Sequence, residues 1–225
     1  MTTLVPREDG AAADLAVFAT RVARFEAEAV IRIVASGKVV GCFAETPFDV
    51  LAMRALALAS PLDVDLVVEA GTLAARAVGD RGELELPPPV PALRWTTSMP
   101  PRSGWTELAR LPLADVAGRV ADGVAEFRRR GPELAAGSAR REGRVELEKL
   151  ADEIWDRELA AEVPLRFAHA AESYGFLGGS GGPGSSSSVG AGSAEVVLRS
   201  IGQWWRLDAP HGSILGRSGL ALFAL

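Results

Sequence analysis

Cysteine, histidine and lysine are nearly absent from this chain. Its 225 residues hold one cysteine, Cys42, two histidines, His169 and His211, and two lysines, Lys38 and Lys149. A single cysteine closes no internal disulfide. Cys42, between Gly41 and Phe43 in strand-like sequence, is expected to be a small buried hydrophobe, since a reactive thiol needs a cationic neighbour. The two histidines lie 42 residues apart and far from Cys42, so no zinc-ligand spacing exists. His169 sits among alanines and suits a partly buried structural place. His211, beside Gly212 and Ser213, suits a turn before the strand SILGR.

Catalytic signatures are missing too. Neither a GxSxG elbow nor a GxxxxGK[ST] phosphate loop occurs, and neither histidine belongs to a nucleophile-base motif. Glu69, at the end of a strand-like run, is one of many acids that could serve as acid or base, so it singles out nothing. The expectation is a chain with no catalytic residue, no cofactor and no metal; a non-enzyme is the preferred reading, and a hydrolase or transferase using carboxylates in a pocket is kept beside it.

No apolar run reaches 18 residues, which removes the case for a membrane span. The start MTTLVPREDG puts acids and proline where a secretory leader needs a basic and then an apolar run, so a cytoplasmic place is expected. Charge of one sign is also lacking. Residues 1–90 carry eight basic and thirteen acidic side chains, and the remainder carries sixteen of each, so neither part has the basic excess that phosphate neutralisation favours. The excess of arginine over lysine, with abundant alanine and glycine, reflects a GC-rich coding bias rather than a function.

What is present is enough to fold. A hydrophobic share of 48% against 24% charged residues is that of a globular protein. DLAVFATRVARFEAEA spaces Leu15, Phe18, Val22 and Phe25 as an amphipathic helix with Asp14 as its cap. The β-rich runs on either side of Ser36-Gly37-Lys38 predict a hairpin with Arg32 and Lys38 on its wet side. FDVLAMRALALAS is expected to be a third strand, although its alanines and leucines also suit helix. A strand at Asp65–Val68 and a helix from Thr72 to Val78 follow.

LPPPVPALRW is a stiff extended connector, because consecutive prolines suit neither helix nor sheet interior. It suggests a boundary near residue 90 between an α/β region with antiparallel strands at 12–90 and a helical region with a C-terminal hairpin at 91–225. In the second region a strand leads into a helix from about Leu113, with Val116, Val120, Val124 and Phe127 on one face and Arg128 to Arg130 in its last turn. A second helix is expected to bury Val145, Leu147, Leu150, Ile154 and Trp155. A third starts at Pro164 and stops at glycine. The tract at 178–194, rich in glycine and serine, predicts a flexible loop. The fold class is therefore α+β: an N-terminal helix with an antiparallel sheet, then a helical region closed by a C-terminal β-hairpin.

That hairpin carries the one distinctive surface. In RSIGQWWRLDAPHGSILGR, a two-residue turn at Gly202-Gln203 has glycine first, the type II′ pattern. It would pair Ile201 with Trp204, Ser200 with Trp205, Arg199 with Arg206 and Leu198 with Leu207. Alternation then puts Leu198, Leu207 and Trp205 on one face and Arg199, Ile201, Trp204 and Arg206 on the other. Two arginines placed opposite one another repel unless an acid, an anion or a ring relieves them. Trp204 is expected to stack on one guanidinium. Tryptophan and arginine dominate interface hot spots, which makes Arg199, Trp204 and Arg206 the candidate partner-binding residues.

PPRSGW, VPLRFAHAAESYGFLGG and WWRLDAPHGSI resemble pieces of an uncharacterised actinobacterial protein family, a likeness that implies no activity. The order helix, hairpin, strand, strand, helix over 12–79 is similar to one half of a sliding-clamp repeat, though the second half inserts helices and lacks the matching hairpin. Three helices and a hairpin over 113–217 resemble a winged-helix arrangement with LRFAHAAESYGF as recognition helix. That likeness implies either an adaptor for proteins or a reader of nucleic acid. The helix offers a single cation, Arg166, for base readout. The preferred expectation is an interaction or adaptor protein with a protein partner and no membrane role. The alternative is nucleic-acid binding through the winged-helix-like half.

Overall fold

A computed structural model describes residues 2–76, 78–80, 82–136, 140–178 and 194–218, without the side chains of 135, 136, 140 and 141. The chain divides into two compact units, Met1–Pro101 and Arg102–Leu225. Apart from Gly178 and Ala194, the tract expected to be a flexible loop lies outside the described residues. Mixed helix and antiparallel sheet make up both units, as the fold class requires.

The N-terminal unit opens with β1 (Thr3–Leu4) and α1 (Ala11–Phe25). Asp14 is not the cap. Three alanines, the best helix formers, carry the helix back to Gly10, whose φ of 81° ends it without a side-chain cap. Asp14 instead bonds Arg54 at 2.5 Å. Leu15, Phe18 and Val22 are buried as their spacing requires, while Phe25 lies exposed with its ring edge-on to Phe48.

Four strands follow: β2 (Val30–Ser36), β3 (Val39–Glu45), β4 (Leu51–Ala57) and β5 (Val64–Glu69). They form an antiparallel sheet ordered β5-β2-β3-β4. The ambiguous run is strand, because alternation and tertiary pairing with β3 outweigh the helix propensity of its alanines. Ile31, Ile33, Cys42 and Ala44 fill the core side. On the other side Arg32 reaches Asp65 with two bonds of 2.8 Å. α2 (Ala70–Ala74) is shorter and earlier than expected, starting where β5 ends, and β6 (Leu84–Glu85) pairs with β1. Thr72 and Arg94 both bond Glu69, which therefore serves as an ion-pair partner.

The C-terminal unit opens with β7 (Thr106–Pro112), which runs straight into α3 (Leu113–Ala136). The three arginines do not end α3, because the helix continues through Pro132. Gly131 faces Leu147 of α4 (Arg140–Trp155), with space for a methyl at ordinary contact distance, so α3 goes on packing against α4 beyond the arginines. Arg130 bonds Glu126 and Glu153, and Arg157 bonds Glu126 as well, tying the two helices together. These bonds, from Arg157 first and then Arg130, hold the Glu126 carboxyl down at about 2. Val145 is not buried. It is 43% exposed, since five residues from Leu150 at about 100° each carry it to another side of the helix.

A small ribbon, β8 (Glu158–Ala160) with β9 (Val163–Pro164), leads into α5 (Leu165–Ser173). Then β10 (Glu195–Ile201), β11 (Trp204–Ala209) and β12 (Gly212–Arg217) complete an antiparallel sheet ordered β12-β11-β10-β7. The run SILGR after the His211 turn forms β12, as expected, and with β7 it gives the hairpin the neighbours it needs for stability.

α5 packs on the inner face of this sheet, where Val196, Leu198, Leu207 and Ile214 are buried. His169 stacks on Trp155 with centroids 3.8 Å apart and planes 6° from parallel, a packing role. Burial pushes its pKa down to about 4. Among the described residues no helix is long and apolar enough to cross a membrane.

Candidate interaction face of the C-terminal sheet

The register of β10 and β11 follows from the turn chemistry. Ile201 faces Trp204, Ser200 faces Trp205, Arg199 faces Arg206 and Leu198 faces Leu207. Gly202 has a φ of 55° and Gln203 is not among the positive-φ residues, which fits a turn whose first central position needs glycine. Trp205 points inward, its ring edge-on to Phe167 at 6.2 Å. Trp204 points the other way, and both tryptophans are half-buried.

What relieves the two arginines is an acid. Asp208 stands two residues after Arg206, hence on the same face, and accepts bonds from Arg206 Nε at 2.6 Å, from Ser213 Oγ at 2.6 Å and from Arg199. Arg206 also reaches Ser213 Oγ, at 3.3 Å. One carboxylate thus compensates two guanidiniums. Along β7, Glu107 takes two bonds from Arg110 and lies 4.0 Å from Arg199. An irregularity between Leu198 and Arg199 lets Glu107 and Arg110, three residues apart, face the same side.

Ring stacking differs from the expectation. Trp204 carries Arg217, with the guanidinium carbon 5.4 Å from the ring centroid, while Arg206 lies over Trp105 at 5.8 Å. Arg217 stands opposite Trp204 in the β11–β12 register and is exposed. Among the described residues no carboxylate lies within ion-pair distance of it.

The structure therefore brings Arg199, Trp204 and Arg206 together on one face and adds Asp208, Ser213, Arg217, Trp105 and Glu107. Asp208 was within reach of strand alternation, and Arg217 followed once β12 was placed opposite β11. No sequence signal marked Trp105. The face holds fixed cations and aromatic surface without a nucleophile-base pair. Among the described residues no group of three His, Cys, Asp or Glu is arranged to hold a metal. Cys42 is buried, and desolvation pushes its thiol up to about 12.

The helix that resembles a recognition helix is α5. Leu165, Phe167, Ala168, Ala170 and Ala171 are buried, and Arg166 is engaged by Asp156 and, at 3.6 Å, by Asp152. Its cation is thus committed within the unit.

Comparison with solved structures gives similarity to sliding clamps of Pseudomonas aeruginosa. A DNA polymerase sliding clamp from that organism matches with a TM-score of 0.48 and 11% identity, over 99% of this chain and 66% of the clamp chain. The DNA polymerase III subunit beta matches with a TM-score of 0.47 and 13% identity, over 94% of this chain and 64% of the other. The chain thus spans slightly less than two thirds of the length of these structures. No curated protein matches it. Residues 1–97 match a domain of unknown function, DUF8010. Residues 100–221, more than half of the chain and nearly all of the C-terminal unit, match the model of a second such domain, and the chain belongs to that family, the domain of unknown function DUF8185.

Proposed function

We propose that the chain is a non-enzymatic interaction protein, and that the outer face of its C-terminal sheet receives a protein partner at Arg199, Trp204 and Arg206. The observation that carries this reading is Arg217 stacked on the half-buried Trp204, a cation with no carboxylate among the described residues, beside two arginines that share one. The complement is a protein segment that sets a carboxylate against Arg217 and an apolar side chain on the indole. Asp208 and Ser213 hold Arg206, so little rotamer freedom is left to lose on binding. Tryptophan and arginine supply the large contact area typical of hot spots.

Photo-crosslinking from position 201, beside Trp204, tests the reading in cells. A discrete cross-linked protein is expected from the wild-type chain. Trp204→Ala with Arg206→Glu should abolish it, and so should Arg217→Glu, which breaks no ion pair among the described residues. A product that persists in both variants, with unchanged thermal midpoints, would refute the proposal.

A further inference from the structure

The residues that enter β7 lie over the interaction face as well as leading into its sheet. Thr106 stands opposite Ser200 in the β7–β10 register, so Trp105 comes level with Ile201. It lies two residues before Glu107 and therefore on the same, outer face. β11 is two strand spacings away from β7, about 10 Å, with β10 between them. The Trp105 ring nevertheless meets the guanidinium of Arg206 on β11, with 5.8 Å from carbon to centroid, so the indole lies across β10. Gly104 has a φ of 89° and runs so close to Ile201 that a Cβ there would stand 3.0 Å from Ile201 Cδ1. Ile201 and Arg206 are half-buried beneath this backbone and ring.

Little backbone bonding holds the cover down. Among the described residues Arg102, Ser103 and Gly104 are exposed and make no hydrogen bond, so the ladder begins only at Thr106. Stretches with exposed, unbonded backbone open at small cost. Gly104 is also the one residue here whose positive φ calls for glycine, and rotation at that point swings the ring without moving β7. Arg206 does not need the ring to stay in place, because Asp208 and Ser213 hold its guanidinium.

We infer that Arg102–Trp105 is a strap that closes the Arg206 half of the interaction face, and that the protein partner seats fully only when Trp105 lifts away. This rests on the reading of that face given above and adds its regulation. With the strap down, the partner meets Trp204 and Arg217. With the strap lifted, Ile201 and the pre-oriented Arg206 join them in one continuous surface. The apparent affinity is then the intrinsic affinity scaled by the fraction of chains in which the strap is open.

The test labels the full chain with fluorotryptophan and assigns the Trp105 fluorine signal from Trp105→Phe. Gly104→Ala strains the closed backbone at its positive φ and crowds Ile201. It should move the Trp105 signal to a solvent-exposed position, marked by its H2O/D2O shift, while unmoved Trp155 and Trp205 signals show that the unit remains folded. In cells, a photo-crosslinker at position 203, in the turn beside Trp204, leaves Ile201 in place. Gly104→Ala and Trp105→Ala should each raise the yield of its cross-linked partner about threefold or more, because an open strap no longer scales the affinity down. A Trp105 signal that Gly104→Ala leaves in place overturns the strap. So does a yield that neither variant changes, or one that Trp105→Ala lowers, since the ring would then be a contact of the partner and not a cover. A cross-link absent from the wild-type chain and from both variants overturns instead the reading of the face, and the strap's role with it.

Discussion

Each unit places an arginine on the wet face of its sheet and answers it with an aspartate on the same face, but the two arrangements differ in stoichiometry and depth. In the N-terminal sheet Arg32 and Asp65 form a one-to-one bidentate pair, and the aspartate side chain is 50% exposed. In the C-terminal sheet one aspartate, Asp208, serves Arg199, Arg206 and the buried Ser213, and its side chain is 18% exposed. The first is a surface ion pair, in which water offsets most of the attraction. The second is a shared anchor, and with it gone two guanidiniums would face each other across a ladder rung.

Asp208→Asn gives the largest expected difference between the two. It leaves Arg206 without a charge partner and Arg199 with only Glu107, at 4.0 Å, in a half-buried place, at a cost of about 2–3 kcal/mol. Asp65→Asn removes an exposed pair and should cost less than about 1 kcal/mol. Urea unfolding of the two variants at neutral pH measures both. Equal losses would show that the sharing at Asp208 carries no weight. A partial recovery in the double variant Asp208→Asn with Arg199→Leu would show that the repulsion is what is felt.

Backbone packing sharpens the same contrast at a smaller scale. A Cβ at Gly212 of β12 would lie 2.6 Å from ring carbons of Phe176, which is fully buried, and 2.7 Å from a third. A Cβ at Gly41 of β3 would lie 2.8 Å from the far edge of Phe43, a half-exposed ring that can swing away. Gly212→Ala should therefore cost about 1–2 kcal/mol as overpacking. Gly41→Ala should fall within about 0.5 kcal/mol of wild type, because the lost strain-free contact is offset by the lower entropy of the unfolded chain. Thermal unfolding of both variants decides the point, and a Gly41 variant that loses as much as the Gly212 variant would contradict it.

What the sequence made legible was the two-sidedness of its strands. Pairing across Gly202-Gln203 follows from glycine's tolerance of positive φ, and once the pairing is set, strand period two sends Trp204 and Trp205 to opposite faces. The same rule puts Asp208 beside Arg206, two residues on. Long-range placement was not legible. Trp105 meets Arg206 from β7's side of the sheet, and no local pattern encodes that neighbour. Helix ends were legible only where nothing competed with the local signal. Asp14 looked like a cap but lost to three preceding alanines, and Arg128 to Arg130 looked like a last turn although the helix runs on through Pro132 to Ala136.

The smallest effect concerns pH, and it falls in the C-terminal unit because both histidines are there. His169 lies flat on Trp155, and burial holds its pKa at about 4, below the unfolded value near 6.5. Between those two values the unfolded chain binds the proton that the folded chain refuses, so stability falls as pH drops through that window. Glu126, Glu153 and Glu107 have depressed pKa values, and the stability they contribute is lost only as pH falls below their unfolded values near 4.5. The interval from pH 7 to pH 5 therefore isolates the histidine. With the ring's partial exposure discounted, the expected loss there is about 1 kcal/mol. His169→Gln should flatten the unfolding free energy across the interval, whereas Arg32→Gln in the other unit should leave the slope intact. A wild-type chain whose stability is level from pH 7 to pH 5 would mean that the stacked ring takes up its proton without leaving the indole, and that neither unit responds to mild acid.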